Sequence, residues 1–251
     1  MLHFLFIKEL FKMANKKLLK MVVLAMLVAL GVVISPILRV EGMCPMAHFI
    51  NITCAVLLGP WYALLCAFLI GVIRMTVMGI PPLALTGAVF GAFLSGVFYR
   101  ISKGKIIFAV LGEVIGTGLI GSVLSYPVMT IFWGRTDLTW FFYEPSFISG
   151  TLIGGSIAFI FLKQLIKAGL LPKFQQKLGS SVYNTPNTVF TDAAGIVFIG
   201  IIAYLAVLVL TKNLLHMTGT AAALLPPVAF AIFAVTGLIY YFTKKPKETL
   251  I

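Results

Sequence analysis

Charged residues are scarce in this sequence of 251 residues, and their scarcity indicates the compartment. They make up 10% of the chain against 61% hydrophobic residues, and the mean hydropathy is +1.09. Several stretches of about 20 residues almost lack charge, as helices that cross a bilayer do. These stretches also lack the alternation of polarity that marks barrel strands. The sequence therefore predicts an all-α integral membrane protein, whose helices satisfy their own backbone hydrogen bonds in lipid.

Several catalytic and binding motifs are missing as well. The sequence contains no G-x-x-x-x-G-K-[ST] loop, so the chain does not hydrolyse ATP by that route. Its three cysteines form no paired CxxC motif. Cys44 and His48, four residues apart, supply two metal ligands where a closed site needs three or four, so we expect no metal and no cofactor. An intramembrane enzyme with a Cys44–His48 nucleophile pair stays open as the weakest alternative.

The positive charges follow the pattern of a membrane topology. The net charge is +12. Of the nineteen lysines and arginines, fifteen fall in the two terminal segments and in the loops on the same side of the predicted spans, and three fall in the loops on the other side. Such a bias places the lysine-rich side in the cytoplasm. Nucleic acid is therefore not expected as a partner. We predict a multi-pass plasma-membrane protein with both termini cytoplasmic. Its eight spans are 19–38, 45–58, 61–79, 83–100, 106–126, 146–162, 188–210 and 220–242.

Two groups of spans are separated by a polar stretch. Residues 1–15 are interpreted as an N-terminal cytoplasmic extension, and residues 16–168 as a six-helix substrate-binding domain. The stretch 169–187 contains glycine, proline, lysine and serine, which is typical of a cytoplasmic linker. Residues 188–251 form a two-helix membrane segment of unknown role. The chemistry is expected in the first group, because the last two spans carry few polar residues.

Four polar residues lie within the predicted spans of the first group: His48, Asn51, Arg74 and Glu113. Ionisable groups inside a membrane are costly, so they are treated first as functional. His48 and Asn51 are three residues apart and share one helix face. At about 1.5 Å per residue, Asn51 and Arg74 are predicted at similar heights in the outer half, and Glu113 nearer the inner face. The alternative is an Arg74–Glu113 ion pair that only holds helices together.

Aromatic and acidic residues gather above this cluster, around the loop between the fifth and sixth spans. Trp and Tyr at this depth also occur as a simple interfacial belt. As ligand contacts we nevertheless select Tyr126, Trp133, Trp140 and Glu144, together with the four residues inside the spans. Small residues four apart, including Gly150 and Gly154, predict close helix packing. Ala25 and Ala29 on the first helix form one such pair near the basic end, where a partner's helix is a second possibility.

Four stretches of the first group resemble the ThiW family over roughly residues 16–168. They are AMLVALGVVISP, CPMAHFIN, AVLLGPWYALLCAFLIGVIR and LGEVIGTGLIGSVLSYP. The ThiW proteins are substrate-binding S components of energy-coupling factor (ECF) vitamin transporters. The resemblance implies a six-helix S-component fold, docking of the Ala25–Ala29 motif on a transmembrane coupling subunit, and two cytoplasmic ATPase subunits. It also implies a thiamin-related ligand, with hydroxyethylthiazole as the expected one.

Three functions are therefore compared. The leading hypothesis is the substrate-capturing membrane subunit of an ATP-driven ECF importer for a thiamin precursor. Its pocket would supply hydrogen bonds to a hydroxyethyl group and an aromatic surface to a thiazole ring. The alternative is a stand-alone ion-coupled carrier for a small vitamin-like molecule, with Glu113 and Arg74 as a proton-linked pair. The third, an intramembrane enzyme, is the weakest. The two C-terminal helices lie outside the six-helix pattern.

Overall fold

The computed structural model describes residues 2–37, 43–183 and 188–244. Contacts divide the chain into two compact units, residues 1–184 and 185–251. We call the first unit the bundle and the second the hairpin. The helices within the described ranges are α1 (Leu2–Ile37), α2 (Pro45–Leu58), α3 (Pro60–Met78), α4 (Leu83–Ile101), α5 (Ile106–Trp133), α6 (Glu144–Lys167), α7 (Leu170–Leu178), α8 (Val189–Val209) and α9 (Thr220–Lys244).

Seven of these helices are long and apolar enough to cross a membrane, which confirms the helical membrane class. The remaining predicted span, 45–58, corresponds to α2, which has only 14 residues. At about 1.5 Å per residue it is shorter than the hydrocarbon layer. It is instead buried at the centre of the bundle, with eleven of its residues shielded by α1, α3, α4, α5 and α6.

The turn between α2 and α3 sets the relative height of their residues. Gly59 has a φ of 97°, and a side chain there would overlap the Arg100 guanidinium. Pro60 then starts α3, where its missing N–H is not needed. Both helices leave this turn antiparallel, so equal distances along the chain give equal heights. Cys44 and Arg74 each lie about 21 Å from the turn, whereas Asn51 lies about 11 Å from it.

The fifth helix changes its winding next to Glu113. Residues Val114–Gly121 form a π-helical stretch inside α5. Such stretches are rare and often occur at functional sites. Gly91 on α4 faces this region, and a side chain there would overlap Thr117 and approach the Glu113 carboxyl carbon to 2.8 Å. The absence of a side chain at Gly91 therefore leaves room for Glu113 between α4 and α5.

Residues 170–178, predicted as part of a linker, form helix α7, which packs against the other helices of the bundle. Leu171 and Leu178 are buried, and the buried Gln175 amide donates to the Val56 carbonyl and to the Tyr99 hydroxyl, each at 3.0 Å. In a helix, the Val56 carbonyl would accept from residue 60, but that residue is proline. Gln175 thus replaces a missing backbone donor. Residues 184–187 of the predicted linker lie outside the described residues.

The hairpin consists of α8 and α9. Thr188 and Thr191 form a reciprocal capping box at the start of α8. Gly200 lies against Phe230 and Phe233 of α9, which shows a close approach of the two helices. The predicted N-terminal extension is helical from Leu2 and continues into the apolar part of α1.

Candidate substrate-binding site

A small cavity of about 50 Å³ opens at the start of α2. Four helices and the segments before them line it, and most of the lining is apolar. Its lining residues are Met43, Cys44, Ala47, His48, Arg74, Ile80, Leu83, Ala84, Gly87, Ala88, Ser146 and Phe147. A cavity of this size has room for a few water molecules. It is therefore suited to a small ligand or to part of one.

Gly154 brings α6 against α2 below the cavity. A side chain at Gly154 would overlap the Pro45 carbonyl oxygen and lie 2.9 Å from His48 Cβ. The close packing predicted for the stripe that contains Gly150 and Gly154 is confirmed at Gly154. The result is that the start of α2, with Cys44 and His48, is fixed between α6 and the rest of the bundle.

Glu113 lies under the cavity and is fully buried. Its Oε1 accepts from His48 Nδ1 and from Asn51 Nδ2, each at 2.9 Å, and from Thr117 Oγ1 at 3.4 Å. Asn51 also donates to the Ala88 carbonyl oxygen at 3.3 Å. An ionised carboxylate only accepts, so in that state the His48 ring carries a proton on Nδ1. Glu113 therefore fixes the orientation of the one imidazole that lines the cavity.

Arg74 is 5% exposed and lines the cavity at the height of Cys44. Its Nη2 is 3.6 Å from Cys44 Sγ, and its Nε has no hydrogen-bond partner. The Arg74–Glu113 ion pair considered from the sequence is absent from the described residues, since Glu113 bonds His48 and Asn51. Asn51 and Arg74 do not lie at the predicted similar heights, because Asn51 is about 11 Å from the turn between α2 and α3 and Arg74 is about 21 Å from it.

None of the aromatic residues selected from the sequence is among the lining residues, although Tyr126 and Trp140 lie beside the cavity. The rings of Tyr126 and Trp140 stack with centroids 4.6 Å apart, and Trp140 is 53% exposed. Tyr126 packs with Met129, Leu138 and Tyr143 in a cluster that also includes Leu83 and Phe147. The last two line the cavity, so the cluster adjoins it. Trp133 is half exposed, and Glu144 is half buried in the first turn of α6.

Ser146 and Phe147 line the cavity but were not selected from the sequence. They follow Glu144 in the first turn and a half of α6. The only available signal was their position directly after the aromatic loop. Arg135 and Asp137 in that loop pair with each other, with Arg135 Nη2 2.6 Å from Asp137 Oδ2. The hydrogen bond from Arg135 lowers the pKa of Asp137. Within the described ranges, no group of three or more histidine, cysteine, aspartate or glutamate residues is placed to hold a metal ion.

One family matches the chain. The model of the thiamine-precursor transporter protein family (ThiW) matches residues 21–168, which is more than half of the chain. The chain belongs to this family. Searches of curated proteins and of solved structures give no match. The protein is therefore a multi-pass membrane protein of a family of thiamine-precursor transporters, and this family does not support the intramembrane enzyme considered from the sequence.

The ThiW match contains the whole cavity. Every lining residue falls between Met43 and Phe147, and Glu113, Asn51 and the aromatic cluster fall within the same limits. Helix α7 and the hairpin lie beyond the matched residues. The part of the chain shared with the family is thus the part that builds the cavity.

Proposed function

We propose that this ThiW protein is the substrate-capturing subunit of an ATP-driven ECF importer for a thiamine precursor, with hydroxyethylthiazole as the expected ligand. A transmembrane coupling subunit and two cytoplasmic ATPase subunits complete the complex. The observation that carries the proposal is a single family-matched bundle with a small cavity above a hydrogen-bonded polar cluster. The lack of a nucleotide-binding loop in the sequence supports the need for separate ATPases.

The chemistry of the cavity suits a small heteroaromatic alcohol. Apolar side chains such as Leu83 and Phe147 offer a surface for a ring, and His48 and Ser146 offer hydrogen bonds to a hydroxyl group. Tyr126 and Trp140 stack beside this surface and extend it. Glu113 holds His48 from below and also accepts a hydrogen bond from Asn51.

The orientation follows from the lysine pattern of the sequence. The positive residues put both termini in the cytoplasm of a plasma-membrane protein. The cavity lies at the ends of α2 and α3 that are remote from their connecting turn and from Arg100. Arg100 belongs to a predicted cytoplasmic segment, so the cavity faces the outside, where an importer captures its substrate.

The docking proposal concerns Ala25 and Ala29 on α1. Both side chains are exposed on the bundle, and exposed apolar side chains, including Met21 and Met26, surround them. A face of small residues lets a second helix approach closely in the membrane. We assign this face to the coupling subunit and the rest of the exposed apolar surface to lipid.

The ligand is tested by equilibrium binding to the purified full chain. Hydroxyethylthiazole is expected to bind, and His48→Ala is expected to weaken it about tenfold through the lost hydrogen bond. The exposed Thr139 in the outer loop offers a control, since Thr139→Ala removes a hydroxyl that does not line the cavity. Tight binding of another vitamin with no binding of hydroxyethylthiazole would contradict the ligand but not the transporter class.

Docking is tested by co-purification with the coupling subunit. Ala25→Leu or Ala29→Leu is expected to prevent assembly and to leave ligand binding intact, because the added side chain separates the helices. Ala231→Leu is a matched control, since Ala231 is an exposed alanine on α9. Normal assembly of the Ala25→Leu and Ala29→Leu proteins would remove the role assigned to this face.

A second candidate is the stand-alone ion-coupled carrier. The buried His48–Glu113 pair under the cavity favours it, since a carboxylate and an imidazole in contact can share a proton between them. Uptake into vesicles that hold only this chain would support the carrier. Uptake that depends strictly on the coupling and ATPase subunits would eliminate it.

A further inference from the structure

Arg74 is a buried cation without a balancing charge in the part of the chain that the structure describes. Its side chain is 95% shielded, Nε has no partner, and the nearest acceptor of Nη2 is the Cys44 sulfur at 3.6 Å. Sulfur is a weak acceptor. Two acidic side chains near the cavity are bonded to residues other than Arg74. Glu113 bonds His48, and Asp137 bonds Arg135.

An unbalanced guanidinium at this depth is costly. Arginine stays protonated in proteins, so it cannot avoid the cost by losing its charge. A buried charge is stabilised by an opposite charge with good geometry, and a charge within a membrane usually marks a substrate path or a functional pairing. Arg74 borders the cavity at the start of α2.

We propose that the ligand supplies the missing negative charge: the cavity binds a thiazole precursor that carries an oxyanion, as a phosphate ester or a carboxylate, in preference to the neutral alcohol. The inference rests on the proposed function, since it deepens the ligand class of the same site. A guanidinium pairs with a carboxylate or a phosphate through two parallel hydrogen bonds, which a hydroxyl group cannot match.

The arrangement of the cavity fits such a ligand. Leu83, Ala84 and Phe147 form an apolar wall for the ring. Arg74 and Cys44 form the polar wall, at the same height on α3 and before α2. His48 lies lower on the lining, with its Nδ1 bonded to Glu113.

The inference is tested with three probes on the purified full chain: hydroxyethylthiazole, its phosphate ester, and 4-methylthiazole-5-carboxylate. Isothermal titration at neutral pH measures the Kd of each. At least one anionic probe is expected to bind about tenfold or more tightly than the alcohol, because a charge-assisted pair replaces a neutral hydrogen bond. The comparison of the two anions separates the phosphate from the carboxylate.

Two arginine variants locate the effect. Arg74→Gln is expected to abolish the preference for the anion, and Arg74→Lys to keep part of it, since lysine retains the charge but not the fork of donors. Arg135→Gln is the matched control, because Arg135 is paired with Asp137 in the outer loop and does not line the cavity. All three affinities are expected to be unchanged in that variant.

Glu41 belongs to the segment 38–42, outside the described residues, and is close in sequence to Met43 and Cys44. If Glu41 rather than a ligand balances Arg74, the native chain shows no preference for the anion and Glu41→Gln creates one. That result would overturn the inference.

The other outcomes are equally decisive. Equal or tighter binding of the alcohol by the native chain would overturn the inference and leave the proposed function standing. Failure of all three probes to bind a well-folded native chain would contradict both. A preference for the anion that survives Arg74→Gln would also overturn the role of Arg74. If the Arg74 variants fail to fold, the comparison of probes on the native chain still decides the ligand class.

Discussion

Glu113 in the bundle and Thr211 in the hairpin are buried polar groups with different kinds of hydrogen-bond partner. In the bundle, Glu113 on α5 is bonded by His48 and Asn51 of α2, more than sixty residues away in the chain. In the hairpin, the buried Thr211 donates to the Val207 carbonyl, one turn earlier in its own backbone. A polar group that bonds its own helix holds no second helix in place. Glu113 therefore links α5 to α2 beside the cavity, whereas Thr211 links no second helix.

The largest expected loss of stability follows from removing the Glu113 carboxylate, which accepts hydrogen bonds from His48 and Asn51. Glu113→Leu leaves His48 and Asn51 without their shared partner, and each lost acceptor costs about 1–3 kcal/mol. The free energy of unfolding in detergent is expected to fall by about 2 kcal/mol or more. Thr211→Val is the matched change in the hairpin and is expected to cost less than about 1 kcal/mol. Equal losses in the two variants would end the distinction between the regions.

A second test compares two close helix approaches. Gly154→Ala places a methyl group on the Pro45 carbonyl, which belongs to the backbone of α2 and cannot turn away. We expect a cost of about 1–3 kcal/mol from overpacking, together with weaker ligand binding as α2 shifts. Gly200→Ala meets the Cβ of Phe233 within the hairpin instead. Ligand titration of both proteins checks the difference, and normal binding by Gly154→Ala would show that α2 tolerates displacement.

The third test asks where the bundle ends. Gln175 on α7 lies beyond the ThiW match, yet it bonds the Val56 carbonyl that Pro60 leaves unpaired. Gln175→Ala is expected to lower the free energy of unfolding by about 1–3 kcal/mol, because that carbonyl stays buried without a donor. The neighbouring Gln176 is exposed and serves as the control. An unchanged free energy of unfolding in Gln175→Ala would show that α7 does not contribute to the stability of the bundle through this bond.

The smallest effect is expected from removing the hairpin. A chain that ends at residue 184 keeps every residue that lines the cavity. Its Kd for the ligand is expected to stay within about threefold of the native value, well below the effect of one lost hydrogen bond of about 1 kcal/mol or more. Titration of the shortened chain measures this. A large loss of affinity would assign the hairpin a part in the site.

Much of the fold was predictable, because apolar runs of membrane length are a property of composition. The spans at 83–100 and 106–126 fall within α4 and α5, and the small-residue stripe containing Gly154 packs closely as expected. Helix α7 was not predictable from glycine, proline and lysine content alone. Its reason for packing is the Val56 carbonyl, whose need for a donor appears only when Pro60 is seen in its turn.

Two of the eight predicted ligand contacts line the cavity. His48 and Arg74, selected because polar groups in a membrane are costly, both lie on the cavity. Asn51, Glu113, Tyr126 and Trp140 lie under or beside it, and their direct contact with a ligand stays a prediction. Trp133 and Glu144 also stay predictions. The predicted height of Asn51 was wrong, since it assumed a start for α2 that the 14-residue helix and its turn into α3 do not support.

By itself the sequence determined the membrane class, the approximate spans and the candidates for the polar interior, because hydrophobicity and the cost of burying charge act residue by residue. The tertiary structure decided the partners. Glu113 pairs with His48 and not with Arg74, because a 14-residue α2 sets His48 below the level of Arg74 and the absence of a side chain at Gly91 admits the carboxylate. Contacts between residues far apart in the chain depend on helix lengths and close approaches, which no local pattern contains.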